Sequence, residues 1–241
     1  MMFCAECGII TGGSVKNVRM RKKPNLQPRM ERCASVLETA PEQHRGRWLD
    51  DIGRLTGRER PFSELHIELG CGKGRFTAGM AESNPDVLFV AIEKVPDAMV
   101  VAMERVCASE LANVRFLDRD AAQLGEFFAE GEARRIYINF PDPWPKKKQF
   151  KRRLTAPSFQ KLCAAALAPG GEIWFKTDNA PLFEWSMEQL AAGGWELREV
   201  TRDLHENGPV GVMTDYEAKF HAQGVKINRL VAVKGEHTLC G

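Results

Sequence analysis

From Leu65 to Val233, short apolar runs alternate with longer stretches whose apolar residues recur every three or four positions. Short runs rich in branched and aromatic residues suit buried strands, whereas recurrence near 3.6 suits a helix with one buried face. Strands are expected over Leu65–Leu69, Val87–Ile92, Val114–Leu117, Arg135–Ile138, Glu172–Lys176, Trp195–Val200 and Arg229–Val233. Helices are expected over Gly74–Ser83, Val95–Ser109, Ala121–Phe128, Ser158–Leu167 and Ala180–Ala192. The 95–109 stretch is patterned most clearly, with apolar residues at 95, 98, 99, 102, 103 and 106 on one face. Ala168-Pro169-Gly170-Gly171 is expected to end its helix and turn into the fifth strand. No clear helix separates the last two strands, so a closing antiparallel pair is expected. The alternation predicts an α/β fold with a mainly parallel sheet and helices on both faces.

The first 60 residues are polar and basic, broken by Pro24, Pro28 and Pro41, with Pro61 just beyond. They divide into an expected flexible extension at 1–17 and a basic segment at 18–60, before a body at 61–234 and a tail at 235–241. Arg45-Gly46-Arg47-Trp48 is expected to dock a short helix or loop on the body. The net charge of +2 hides a local concentration, because Lys16–Arg32 holds seven basic residues against one acid, Glu31. A polyanionic partner responds to such patches more than to total charge. The seven cysteines lack the spacing of a disulfide scaffold, and Cys107 and Cys163 fall in helical stretches, as packed thiols of a reducing compartment do. Cys4 and Cys7 form a CxxC with no second ligand pair, so no metal site is expected. No run approaches the ~20 apolar residues of a membrane span. A cytoplasmic address with no membrane partner is the expectation.

Two segments carry chemistry. Glu68-Leu69-Gly70-Cys71-Gly72-Lys73-Gly74 follows the first strand and opens the first helix. Glycines there let the backbone turn sharply and approach a ligand closely. A dinucleotide fingerprint needs its third glycine at 75, where Arg75 stands, which favours S-adenosylmethionine over a nicotinamide cofactor. Glu93 ends the second strand at a separation suited to ribose hydroxyls, and Asp120 follows the third, where a carboxylate can accept from an adenine amino group. Glu68 is expected beneath the loop, near the cofactor's amino-acid end.

The second segment is Asn139-Phe140-Pro141-Asp142-Pro143-Trp144-Pro145-Lys146. Pro-Asp-Pro cannot pair as an interior strand, so Asp142 is held in a stiff loop. Beyond it lie Lys146, Lys147, Lys148, Lys151, Arg152 and Arg153 with no acid among them. A rigid acid, an indole and a basic strip suggest chemistry on a nucleic-acid base. Trp144 either stacks on that base or anchors its loop. Thr214 and Glu217 have capping-box spacing, and His205 and His221 are expected to be structural.

With Met20–Pro24, Ile92-Glu93-Lys94, Lys151–Thr155, Lys176–Asn179, Asp203-Leu204-His205 and Met213–Phe220 added, the chain resembles the bacterial tRNA (guanine-N7-)-methyltransferases of the TrmB type over about 18–234. The resemblance implies a Rossmann-like class I methyltransferase fold with seven strands, and transfer of a methyl from S-adenosylmethionine to the variable-loop guanine of tRNA. By motif position it implies Glu68, Gly70, Gly72, Gly74, Glu93, Asp120 and Asp142 at the cofactor, with Asp142 also catalytic. It places Lys146, Asp178, Thr214, Asp215, Tyr216 and Glu217 at the substrate, and Lys148, Lys151, Arg152 and Arg153 along the RNA backbone. A monomer and a homodimer both fit.

Three rivals are weighed on the same residues. Amino-methylating enzymes of this fold carry Asp/Asn-Pro-Pro-Tyr/Phe after the fourth strand, whereas here Asp142 splits the prolines. A non-catalytic RNA-binding module has no use for the glycine loop with Glu93, Asp120 and Asp142. A nicotinamide oxidoreductase is disfavoured by the glycine spacing.

Overall fold

The computed structural model describes residues 24–236 together with Thr238. The CxxC at Cys4 and Cys7, the 1–17 extension, the basic residues from Lys16 to Lys23 and most of the tail lie outside the described residues. Seven strands form one sheet: β1 (Glu64–Leu69), β2 (Val87–Ile92), β3 (Val114–Leu117), β4 (Ala133–Asn139), β5 (Leu167–Thr177), β6 (Glu196–Thr201) and β7 (Asn228–Val233). Their order is β3-β2-β1-β4-β5-β7-β6. The first five are parallel, and β7 is inserted antiparallel between β5 and β6.

Because side chains alternate across a strand, each strand supplies two cores. Leu65, Ile67 and Leu69 of β1, with Ile136 and Ile138 of β4, pack against α2 (Trp48–Leu55), α5 (Leu124–Phe127), α6 (Pro157–Ala166) and α7 (Ala180–Ala192). Phe89, Phe116 and Tyr137 face the other way, against α1 (Leu26–Arg32), α3 (Arg75–Ser83) and α4 (Pro96–Ala108). Helices therefore cover both faces and leave the C-terminal strand ends as the open edge, where ligands of such sheets bind.

The N-terminal residues join this core despite their weak pattern. Trp48 is 0% exposed and its indole N–H donates to the Phe127 carbonyl at 3.0 Å. The backbone N–H groups of Gly46 and Trp48 both donate to the Glu132 carboxylate. Arg29 on α1 makes a two-pronged pair with Glu104 on α4, at 2.7 and 2.6 Å.

Two expectations are corrected. A helix, α8 (Asp215–Ala222), does lie between β6 and β7. Its apolar spacing is weak, and what secures it is a complete capping box: Thr214 Oγ1 accepts from the Glu217 N–H, and the Glu217 carboxylate accepts from the Thr214 N–H. Ala168–Gly171 is not a free turn but the irregular start of β5. Gly170 N–H donates to the Lys234 carbonyl and Lys234 N–H to the Gly171 carbonyl, which extends the sheet through this Gly-Gly pair.

Candidate active site at the carboxyl edge of the sheet

The turn after β1 is made by backbone that only glycine adopts freely. Gly70, Gly72 and Gly74 have φ of 77°, 56° and 72°. Gly74 has a second reason: a Cβ there would lie 2.5 Å from the Ala102 Cβ, so its absence lets α3 seat against α4. A Cβ on Gly70 or Gly72 would meet no protein atom within 4 Å. Glu93 ties this turn to the one after β2, accepting from the Gly72 N–H and the Val95 N–H, each at 2.9 Å. Each of its oxygens keeps a lone pair. Asp120 caps the turn after β3 by accepting from the Ala122 N–H, and its other oxygen stands 4.0 Å from Lys94 Nζ.

Glu68 lies inside this edge. Its carboxylate accepts from the Thr77 hydroxyl and from the Asn139 amide, the latter at 3.1 Å. Burial pushes the carboxyl up to about 7, against the opposing pull of those two hydrogen bonds and of Lys176. Lys176, next to last in β5, pairs with Asn139 across the sheet, and its buried ammonium bonds both oxygens of the Glu217 carboxylate at 3.0 Å. Burial holds Lys176 below the usual lysine range, with Glu217 pulling the other way. His205 completes the cluster: Nδ1 accepts from the Val210 N–H, so Nε2 carries the proton and donates to Glu217 at 3.0 Å.

Beyond β4 the Pro-Asp-Pro loop is bent by two non-glycine residues in the left-handed region, Phe140 (φ 52°) and Trp144 (φ 41°). Such backbone costs on the order of 1–3 kcal/mol per residue and persists where the surroundings enforce it. Phe140 is held by its N–H, which donates to the Lys176 carbonyl at 2.9 Å. Trp144 is held by Arg153, 5% exposed, which donates to the Pro143 carbonyl at 2.9 Å and the Trp144 carbonyl at 3.3 Å. Its guanidinium sits 3.7 Å from the Phe150 ring centroid and 4.4 Å from that of Trp185. Asp142 is thereby exposed on a braced loop, facing a cavity of about 620 Å³ whose wall also holds Gly70, Glu93, Asp120 and Asn139. That volume lies in the range of small-molecule and cofactor sites.

The remaining sequence-predicted residues divide. Lys146 and Lys148 are exposed, and Lys151 and Arg152 line the cavity mouth. Arg152 lies 3.7 Å over the Trp144 ring, covering one indole face. Arg153, expected along the RNA backbone, points inward instead, for the reason just given. Tyr216 is 61% exposed, and its ring lies 6.3 Å from that of Phe140, which brings the start of α8 to the cavity rim. Asp215 pairs with Arg105 at 3.5 Å. Glu217, expected at the substrate, is 0% exposed and wholly engaged with Lys176, His205 and its own cap. Asp178 is exposed just past β5 and is not one of the residues lining the cavity.

The chain matches the methyltransferase family model Methyltransf_4 over residues 63–230. It is 44% identical over 218 residues to the tRNA (guanine-N(7)-)-methyltransferase of Geobacillus thermodenitrificans strain NG80-2, covering 90% of this chain and 98% of that protein. Its identity to the enzyme of the same name from Bacillus cytotoxicus is 40% over 216 residues, 89% of this chain and 96% of that one. The chain belongs to the tRNA (guanine-N7-)-methyltransferase family. Among solved structures, the 16S rRNA methyltransferase KamB superposes with a TM-score of 0.58 at 17% identity, covering 72% of this chain and 89% of that one. TrmN from Thermus thermophilus gives 0.52 at 25% identity, over 77% and 48% respectively. This methyltransferase thus has the Rossmann-like class I fold. Among the described residues no helix is long and apolar enough to cross a membrane, and no group of side chains is arranged to hold a metal ion.

Four contributors to the site were not assigned a role from sequence: Asn139, Phe140, Thr77 and Lys176. Asn139 and Lys176 are the last or next-to-last residues of neighbouring strands, a position that puts polar side chains at the ligand edge. That was the available signal. Thr77 and Phe140 gave none.

Proposed function

We propose that this methyltransferase moves the methyl of S-adenosylmethionine to N7 of the guanine at tRNA nucleotide 46, in the variable loop, with Asp142 orienting the guanine. The observation that supports it most is the single wall joining Gly70, Glu93 and Asp120 to Asp142, in a chain 44% identical to a tRNA (guanine-N(7)-)-methyltransferase. The donor fits that wall on two counts: an open glycine turn, and carboxylates with free lone pairs at Glu93 and Asp120. When bound, S-adenosylmethionine supplies an electrophilic methyl on a sulfonium.

Guanine N7 carries a lone pair and no proton, so no side chain must create the nucleophile. Positive charge passes from sulfur to the purine and is not newly made. The protein's task is therefore alignment, which supplies about 7–11 kcal/mol where reacting atoms are held in line. Asp142 serves this by accepting from the guanine N1–H or amino group, and its negative charge favours the ring as it becomes cationic. The two flanking prolines and the Arg153 brace keep it in place. Lys146, Lys148, Lys151 and Arg152 meet phosphates, and the exposed Tyr216 and Asp178 meet the substrate. Thr214, Asp215 and Glu217 shape the rim from which Tyr216 projects. Reaching N7 inside folded tRNA requires drawing the nucleotide outward, at a cost of roughly a few kcal/mol. A cytoplasmic location follows from a tRNA substrate.

Methyl transfer from labelled S-adenosylmethionine to paired transcripts tests this reading. A transcript with the variable-loop guanine should accept label, and one with adenine at that nucleotide should not. Equal labelling of both transcripts contradicts it.

A further inference from the structure

A second cavity, separate from the one that holds Asp142, lies beside the start of α8. It is an open groove of about 640 Å³ between α3, α4 and the segment that leads into α8. Small residues make room for it, Ala78 and Gly79 on α3 and Ala218 on α8. A Cβ on Gly79 would lie 2.7 Å from Val212 Cγ1, so the glycine lets the lead-in segment sit directly on α3. The charged groups of the lining are Arg75, Arg105 and Glu82, with His221 as a further polar group. Arg105 gives part of its guanidinium to Asp215, at 3.5 Å. Arg75 is exposed and has no hydrogen bond or ion pair among the described residues. It stands in the first turn of α3, where there is no acid. A cation there opposes the helix dipole, so helix stability does not account for it.

Two elements join this groove to the Asp142 cavity. The glycine turn runs from Gly70 in one wall to Arg75 in the other. Between them stands Lys73, exposed and also without a partner among the described residues. The start of α8 spans the same gap, since Tyr216 reaches the Phe140 ring at the cavity rim while Asp215 reaches Arg105. A helix with its side chains is about 10–12 Å across, so a strand whose base enters the cavity beside Tyr216 crosses α8 within a few nucleotides. A free guanidinium fork takes two phosphate oxygens at once. Glu82 lies roughly 10 Å along α3 from Arg75, which confines an anion to the end nearer the glycine turn. We infer that this groove holds the sugar–phosphate backbone of the tRNA next to the target guanine, with Arg75 on a phosphate and Arg105 adding to the positive field. The contact is distinct from the basic strip at 146–153, none of which lines the groove. It rests on the reading of the neighbouring cavity as the place of reaction.

Arg75→Ala tests this by filter binding to a tRNA transcript across a salt series. The slope of log affinity against log salt should fall by about 1, equivalent to roughly a fivefold loss of affinity at about 0.15 M salt. Phosphate ethylation interference places the contact. Ethylation of one phosphate within a few nucleotides of the target guanine should weaken binding to the wild type and make no further difference to Arg75→Ala. Calorimetric affinity for S-adenosylhomocysteine should stay as in the wild type, which shows that the variant is folded with its glycine turn intact. Where Arg75→Ala lowers that affinity, Arg75→Gln, which keeps most of the side chain, carries the same expectation. An unchanged slope with an unchanged interference map overturns the inference, as does a loss of affinity that is equal at every salt concentration. A wild-type affinity that responds neither to salt nor to Lys148→Ala would instead sink the reading of the Asp142 cavity and its basic strip as the RNA site.

Discussion

The Lys176 ammonium lies 3.0 Å from both carboxylate oxygens of Glu217, with both side chains buried. This pair fastens the start of α8, and with it Thr214 and Tyr216, to the end of β5 beside the Pro-Asp-Pro loop. Removing one member strands the other charge in a low-dielectric setting. Lys176→Ala is therefore expected to lower unfolding free energy by roughly 3–5 kcal/mol. Denaturant titration checks this, and a loss near zero would mean that solvent reaches Glu217 readily.

Asp142→Asn keeps the size of the side chain and removes its charge. A hydrogen bond to a charged group contributes about 1.5–3 kcal/mol, so kcat/KM should fall roughly ten- to hundredfold. Binding of S-adenosylhomocysteine should change far less, because Glu93 and Asp120 remain. Steady-state kinetics beside calorimetry measures both. An unchanged kcat/KM would remove Asp142 from the reaction.

The basic strip is expected to split by role. Alanine at Lys148, Lys151 or Arg152 should reduce the slope of log affinity for tRNA against log salt by about 1 each, since each removes one phosphate contact. Arg153→Ala should leave that slope alone and reduce thermal stability, because Arg153 holds the Pro143 and Trp144 carbonyls. Filter binding across a salt series distinguishes them. An equal slope change for Arg153 and Arg152 would contradict the division.

Glu68 gives a pH signature. Its carboxyl, at about 7 in the folded chain, binds a proton more tightly than the ordinary 4.5 of an unfolded chain. Its contribution to stability is thus fully present below the ordinary range and is lost as pH rises through about 7. Relative to Glu68→Gln, the ligand-free wild type should lose on the order of 3 kcal/mol across that window. In contrast, affinity for S-adenosylhomocysteine should rise with pH through the same window, because the ammonium favours ionised Glu68. Melting and calorimetry at several pH values check both signs. Parallel profiles for the two proteins would refute the assignment.

How much of this was legible in the chain depended on the range of the cause. The strands and the Gly70–Gly74 turn follow from local rules, alternation and backbone freedom, and they lie within a few residues of their expected bounds. The closing antiparallel strand was legible as well, although α8 was not: its apolar residues are too sparse for periodicity, and only the Thr214–Glu217 cap marks it. Arg153 was indistinguishable from Arg152 in a run of six basic residues. What separates them is Trp185, more than thirty positions on, which stacks on one guanidinium and not the other. Glu217 likewise reads from sequence as a substrate-contacting acid at a helix start, because its partners Lys176 and His205 arrive from other elements. Asn139 stands within the motif, and only the folded neighbourhood shows one end of its amide answered and the other without a partner among the described residues.

The central claim is transfer to one purine nitrogen in tRNA. Its most direct test is incubation of an unmodified tRNA transcript with purified protein and S-adenosylmethionine, followed by borohydride reduction and aniline cleavage, which cuts the chain at 7-methylguanosine. The account predicts a single cut at the variable-loop guanine. Methyl incorporation without that cut, or cuts spread over many guanines, would contradict it.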